Sequence, residues 1–279
     1  MGKIESLDFI ELGNHPEKLV ASSKQDLYTL CYPSEKMPVP SHYADFVRND
    51  TVMLNNFRSF VAHRPFHWAW FLRLLKIRGL DESFLEVPGE LSYSLQNPCI
   101  VAIPHFGLHM LVPHVLGHFI RQDSMVLATG NEEGEGVQDS IEKILPNDRT
   151  RFLKLPDRWI LRKLMRGYQS SHYPVIYPDV TSSGDKRFRH LSFLETSIRV
   201  PLGVENLSRL CKCPVLPVAM TYHDDCYRLH LGPTLVYKEE GSIIFPLFSW
   251  IEELVHLYPD QWFGWNFLHE MIGEAKLLR

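Results

Sequence analysis

The sequence has no surplus of basic residues. Twenty-nine Lys and Arg stand against 33 Asp and Glu in 279 residues, which removes the global positive field that nucleic-acid binding draws on. Nor does it hold an apolar run of about eighteen residues, the length a membrane-spanning helix needs. The nearest stretch, Leu108 to Ile120, is broken by His109, Pro113, His114 and His118. Cysteine is sparse: the five residues are isolated except for Cys211-Lys-Cys213, a spacing too tight for a structural zinc site, and no metal is expected. An odd cysteine count, with no secretory-type leader in Met1 to Asp8, gives the expectation of reduced thiols in the cytoplasm. Repeats, low-complexity tracts and Pro/Gly/Ser-rich linkers are also missing.

What remains is an ordinary globular balance, 45% hydrophobic and 22% charged, in a chain long enough to bury a sizeable core. Residues 1–80 carry apolar side chains at spacings of three and four and read as a helical N-terminal cap region, broken by the Pro-rich stretch Tyr32 to Pro40. Phe57 to Leu80 is rich in rings and basic residues (Phe66, Trp68, Trp70 and Phe71 with Arg64, Arg73, Lys76 and Arg78). It is either a core helix with a basic solvated face or an amphipathic helix lying on a lipid surface.

From residue 81 to 279 the pattern is strand–helix alternation. Expected strands are Ile100–Ile103, Met125–Thr129, Arg151–Leu155, Pro174–Tyr177, Val215–Thr221 and Tyr227–Leu231. Expected helices are Leu108–Arg121, Gly136–Leu145, Asp157–Ser170, Val204–Lys212 and Ile243–Tyr258. The fold class is therefore α/β, a mostly parallel central sheet with helices on both faces and the helical cap packed over one side.

One segment carries the chemistry. Cys99-Ile-Val-Ala-Ile-Pro-His105-Phe106-Gly107 is a short buried strand that ends beside an imidazole. Gly107 reads as the opening of the next helix. An imidazole there sits at the carboxyl edge of an open sheet, where such folds bind and transform ligands. It is suited to remove a proton from an attacking hydroxyl or amine. The N–H groups near Phe106–Leu108, or those of a second helix opening at Gly203 and Val204, are candidates to stabilise a developing oxyanion. His109 lies one turn further on. Asp179 ends the strand Tyr173-Pro-Val-Ile-Tyr-Pro-Asp179 and belongs at the same edge if the strands are parallel, either orienting the imidazole or a substrate group or capping the following turn. Arg158, Arg162 and Arg166 recur every four residues, with Lys163 beside them, and a basic loop runs from Gly184 to His190. Both suit a phosphate-bearing substrate or an acidic carrier, and both also suit a solvated face. The ring-rich Tyr258-Pro-Asp-Gln-Trp262-Phe-Gly-Trp265-Asn-Phe-Leu-His269 anchors the C-terminal helix.

These four elements occur in order: His-Phe-Gly after a strand, the strand ending in Asp179, the Gly203 helix leading to Cys-Pro-Val-Leu-Pro-Val, and Pro-Asp-Gln-Trp-Phe-Gly-Trp. In this the chain resembles the lysophospholipid acyltransferase superfamily over residues 45 to 270. Within it, the chain looks like a divergent soluble relative of the bacterial lipid A (lauroyl/myristoyl) acyltransferases. The resemblance implies acyl transfer from a coenzyme A or acyl carrier protein phosphopantetheine thioester, with no bound cofactor. It also implies a His-x4-Asp/Glu motif in which the acid orients the base. His105 matches the base and Asp179 the later Asp, and Arg158 or Arg162 falls near the family's basic positions.

Two departures stand out. Met110 occupies the motif's acid position, and the hydrophobic N-terminal anchor of the lipid A enzymes is not in this sequence. His109, Asp179 or Glu205 is then needed to take the acid's place. The expected catalytic residues are His105, Asp179 and His109. Phe106, Gly107, Arg158, Arg162, Gly203 and Glu205 are the expected substrate contacts. The acceptor is expected to be a small molecule or a lipid, and peripheral contact with the inner membrane is compatible with the sequence. A catalytically degenerate acyl-carrier or lipid-binding protein and a thioester hydrolase are the competing readings.

Overall fold

The computed structural model describes residues 16–30, 38–130, 132–145, 149–180, 188–224, 226–238 and 242–276. Cys31, most of the Pro-rich stretch and the Gly184–Arg187 part of the basic loop lie outside them. Seven strands form the central sheet: β1 (Leu85–Glu86), β2 (Ile100–Ala102), β3 (Val126–Gly130), β4 (Thr150–Lys154), β5 (Tyr173–Ile176), β8 (Val215–His223) and β9 (Cys226–Leu231). Their spatial order is β1-β9-β8-β2-β5-β3-β4. Every neighbouring pair is parallel except the β8–β9 hairpin.

β2 and β5 are near-continuous apolar runs because a central parallel strand is covered on both faces. Side chains alternate along β2. Ile100 and Ala102 join one core, with Leu164, Val204 and Leu207. Val101 joins the other, with Leu111, Val115 and Ile141. The covering helices are α6 (Val112–Gly117) and α7 (Glu132–Ile144) on the second face, and α8 (Ile160–Gln169), α9 (Gly203–Cys211) and α10 (Ile244–Leu257) on the first.

This arrangement creates a crevice. The chain leaves β2 through α6 on one face and leaves β5, a few elements later, through α9 on the other. Adjacent parallel strands whose connections depart to opposite faces part at their carboxyl ends, the usual place for a ligand in an open α/β sheet.

The N-terminal region contains α1 (Pro16–Ala21), α2 (Lys24–Leu30), α3 (Ser41–Phe46) and the long α4 (Thr51–Arg78). Asp50 caps α4, its carboxylate accepting from Val52 and Met53 N–H. α4 does not simply cover one side: Phe57 and Val61 enter the first core, and Phe66, Trp68, Phe71 and Leu72 enter the second. Those rings are buried, as the core-helix reading of this segment expects, and Arg64 is buried with them. Among the described residues no helix is long and apolar enough to cross a membrane.

Two expectations about elements are corrected. The helix placed over Leu108–Arg121 is a 3₁₀ turn at His109–Leu111 followed by the short α6. The hairpin β6 (Phe188–Phe193) and β7 (Thr196–Pro201) was not anticipated. Its turn residues Leu194 and Glu195 both adopt positive φ, 48° and 59°, without the Gly or Asn that normally marks such a turn. Glu252 on α10 supports it by accepting from Leu194 N–H at 2.5 Å.

Candidate active site

The β2–β5 register pairs Ala102 with Ile176. His105 and Asp179 each lie three residues beyond that pair, facing one another across the crevice. Asp179 is fully buried. Its Oδ1 is 2.9 Å from His105 Nδ1, and its Oδ2 accepts from His105 backbone N–H at 2.9 Å and from Trp262 Nε1–H at 3.2 Å. A carboxylate only accepts, so Nδ1 carries a proton, and the neutral form of the ring has its lone pair on Nε2. One carboxylate thus fixes the backbone, the ring and the tautomer of His105, whose side chain stays 19% exposed.

The segment around His105 is fastened on its other edge by the ring-rich C-terminal stretch. Phe263 N–H donates to His105 carbonyl at 2.8 Å, and Gly107 N–H donates to Gln261 carbonyl at 2.8 Å. Gln261 in turn spans to β8: its Nε2 donates to Tyr222 carbonyl at 2.7 Å and its Oε1 accepts from Tyr222 N–H at 2.9 Å. Gly107 is required by close approach. Its φ is +52°, and a Cβ there would lie 2.0 Å from Met220 carbonyl oxygen.

Three aromatic rings surround the imidazole. Their centroids lie 4.5 Å (His109), 4.9 Å (Tyr177) and 5.7 Å (Phe267) from that of His105. His109 is buried, and among the described residues its Nδ1 has no hydrogen-bond partner. Burial first, then the neighbouring His105 and Arg64, hold its pKa well below the ordinary imidazole value, so it is neutral. Arg64 is itself buried, its guanidinium 4.4 Å above the Phe263 ring and 5.1 Å from Trp68. Tyr177 is half-buried; burial, then the charge on Asp179, pushes its phenol up.

The other anticipated contacts distribute differently. Phe106 is wholly buried in the first core, and its N–H donates to Pro104 carbonyl at 2.6 Å. With Gly107 N–H also taken, neither is free to meet an oxyanion, and no regular helix begins there. Gly203 opens α9 as expected, and Val204 packs in the first core, which also holds Trp262. Glu205, buried on α9, is held by Arg189 (Nη2 to Oε1, 3.1 Å) and by a short hydrogen bond from Ser242. Arg158 and Arg162 are exposed and stack on Trp159, at 5.0 and 5.9 Å. They follow β4, three strands from β2, a lateral span of about 14 Å. Met110 packs against the second core.

Sequence reasoning passed over Arg64, Tyr177, Trp262 and Phe267. Trp262 stood in a motif already singled out, but only the folded chain turns its indole N–H onto Asp179. Phe267 stood in the same motif, and Arg64 and Tyr177 carry no sequence signal beyond lying in a ring-rich helix and at the end of a strand.

No family model and no curated protein matches the sequence. Among solved structures, the chain is similar to the 1-acyl-sn-glycerophosphate (LPA) acyltransferase PlsC from Thermotoga maritima. That match has 15% identity and a TM-score of 0.40, and it covers 78% of this chain and 99% of the other.

Proposed function

We propose that this protein is an acyltransferase that moves an acyl group from a thioester, of coenzyme A or of acyl carrier protein phosphopantetheine, to a hydroxyl or amine. The supporting observation is the pairing of His105 Nδ1 with fully buried Asp179, which leaves Nε2 basic at a partly open sheet edge. Asp179 then does the work of the motif acid that Met110 cannot do. Nε2 takes the acceptor's proton as its oxygen or nitrogen bonds to the thioester carbon. The carbon–sulfur bond then breaks, and the thiolate leaves with the proton returned by the imidazolium. The neutral His109 packs against the base and adds no competing positive charge.

Exposed Arg158 and Arg162 beside Trp159 suit the donor's phosphates or an acidic carrier surface, while Lys163 next to them is paired with Asp157. The acceptor, a small molecule or a lipid, reaches the same edge. The activity requires no metal or bound cofactor, and a cytoplasmic site of action, free or peripheral to the inner membrane, fits this chemistry.

The test uses coenzyme A and carrier-protein thioesters of roughly 8 to 16 carbons, a series in which each further buried CH₂ contributes about 0.8 kcal/mol. Hydroxylamine serves as a general acceptor, and hydroxamate and free thiol are measured. Transfer by the native protein that falls at least about a hundredfold in His105→Ala is expected. Tight binding of every thioester without thiol release would sink the proposal in favour of a binding protein. Thiol release at one rate with and without acceptor would turn it into a hydrolase.

A further inference from the structure

The acyl-transfer reading requires a donor for the negative charge that develops on the thioester oxygen. Two of the expected backbone donors, the N–H groups of Phe106 and Gly107, are bonded to carbonyls of Pro104 and Gln261. His105 Nδ1–H, its backbone N–H and Trp262 Nε1–H all converge on Asp179. A site of this kind requires a donor about 3 Å from the position the oxyanion will take.

We propose that the Tyr177 hydroxyl is that donor. Tyr177 follows β5 directly, one residue past the last β2–β5 pair, on the face where His105 and His109 meet. Its ring centroid is 4.9 Å from that of His105 and 5.8 Å from that of His109. Among the described residues its hydroxyl has no hydrogen-bond partner. The two imidazoles lie against each other, 4.5 Å apart, and the half-buried phenol flanks the pair with its own O–H open to a partner from outside the chain.

The surroundings also keep it a donor. Burial and the nearby Asp179 carboxylate push the phenol up and keep it protonated. A neutral donor is what this reaction needs, since the proton stays on the tyrosine throughout. The nucleophile's proton goes to His105 Nε2, the carbonyl π pair moves onto oxygen, and Tyr177 O–H hydrogen-bonds to that oxygen. When the double bond re-forms, the carbon–sulfur pair leaves with the thiolate, which His105 protonates.

This inference rests on the acyl-transfer reading, and its test separates the two. Tyr177→Phe keeps the ring, so melting temperature and donor KM are expected to stay near native. The rate constant kcat for hydroxamate formation is expected to fall by about a hundredfold, the usual loss for one oxyanion donor. A pantetheine alkylphosphonate, in which a tetrahedral P–O⁻ stands in for the adding carbonyl, should bind the variant more weakly by a similar factor. The binding of intact acyl-coenzyme A should not change. A merely structural tyrosine would move both affinities or neither. Native protein that transfers, with a Tyr177→Phe variant within threefold of it in kcat and phosphonate affinity, overturns this assignment alone. Native protein that transfers nothing from any thioester overturns the acyl-transfer reading and this assignment with it.

Discussion

Asp179 and Glu205 look alike in the sequence and mean different things in the fold. Each is a buried carboxylate at the end of a strand or the start of a helix, and each was a candidate to replace the acid missing at Met110. Glu205 meets a permanent cation, Arg189, and a hydroxyl, Ser242. That set ties α9 to the β6–β7 hairpin and to the chain before α10, and nothing in it changes protonation during a reaction. Asp179 meets a titratable imidazole and two fixed N–H groups. Its charge is directed at a group that can gain and lose a proton. The chemistry of a buried carboxylate is set by its partner, and position along the chain reveals the carboxylate without the partner.

The sharpest way to break this contrast is Asp179→Asn. The amide cannot enforce the Nδ1–H tautomer, so kcat for acyl transfer is expected to fall by about 10²–10⁴-fold, as when an orienting acid is lost. Activity within a few-fold of native would show that His105 works unassisted.

Glu205→Ala is the mirror experiment. It strips Arg189 and Ser242 of their shared acceptor and is expected to cost about 1–3 kcal/mol of stability, seen as a lower denaturation midpoint. Turnover by the protein that remains folded is expected within threefold of native. A large kcat loss at unchanged stability would move Glu205 into the reaction.

The smallest effect extends the contrast to imidazoles. His230 pairs with the Thr221 hydroxyl at 2.7 Å instead of with a carboxylate. Burial first, then Arg228, lowers its pKa to about 4. The unfolded chain binds this proton near pH 6.5 and the folded chain only near 4. The contribution is therefore complete above about pH 6.5 and lost as pH falls toward 4. His109, lowered in the same direction, adds to that slope. The melting temperature should drop between pH 7 and 5, with a shallower drop in His230→Gln. An equal slope in both proteins would remove His230 from the effect.

Strands and helices at the sheet's centre were legible because their signals are local. Ile100–Ala102 lies in an apolar run between Pro98 and Pro104, and Val215–Met220 is an apolar run that follows Pro214, so both mark buried strands. The β6–β7 hairpin was not legible, because Leu194 and Glu195 hold positive φ that their side chains do not advertise. Gly107 was visible as a glycine and misread as a helix opening. Its real constraint is the approach of Met220 carbonyl, more than a hundred residues away in sequence.

By itself the sequence determined the α/β class and the placing of an imidazole and an aspartate at strand ends, since alternation and strand length are properties of neighbouring residues. Only the tertiary structure decided that those two ends are adjacent. It alone turned Trp262 onto the same carboxylate, buried Arg64 and His109 beside the base, and gave Glu205 to Arg189. Strand order and register bring together groups 74 and more residues apart, and no local pattern encodes which strands will be neighbours.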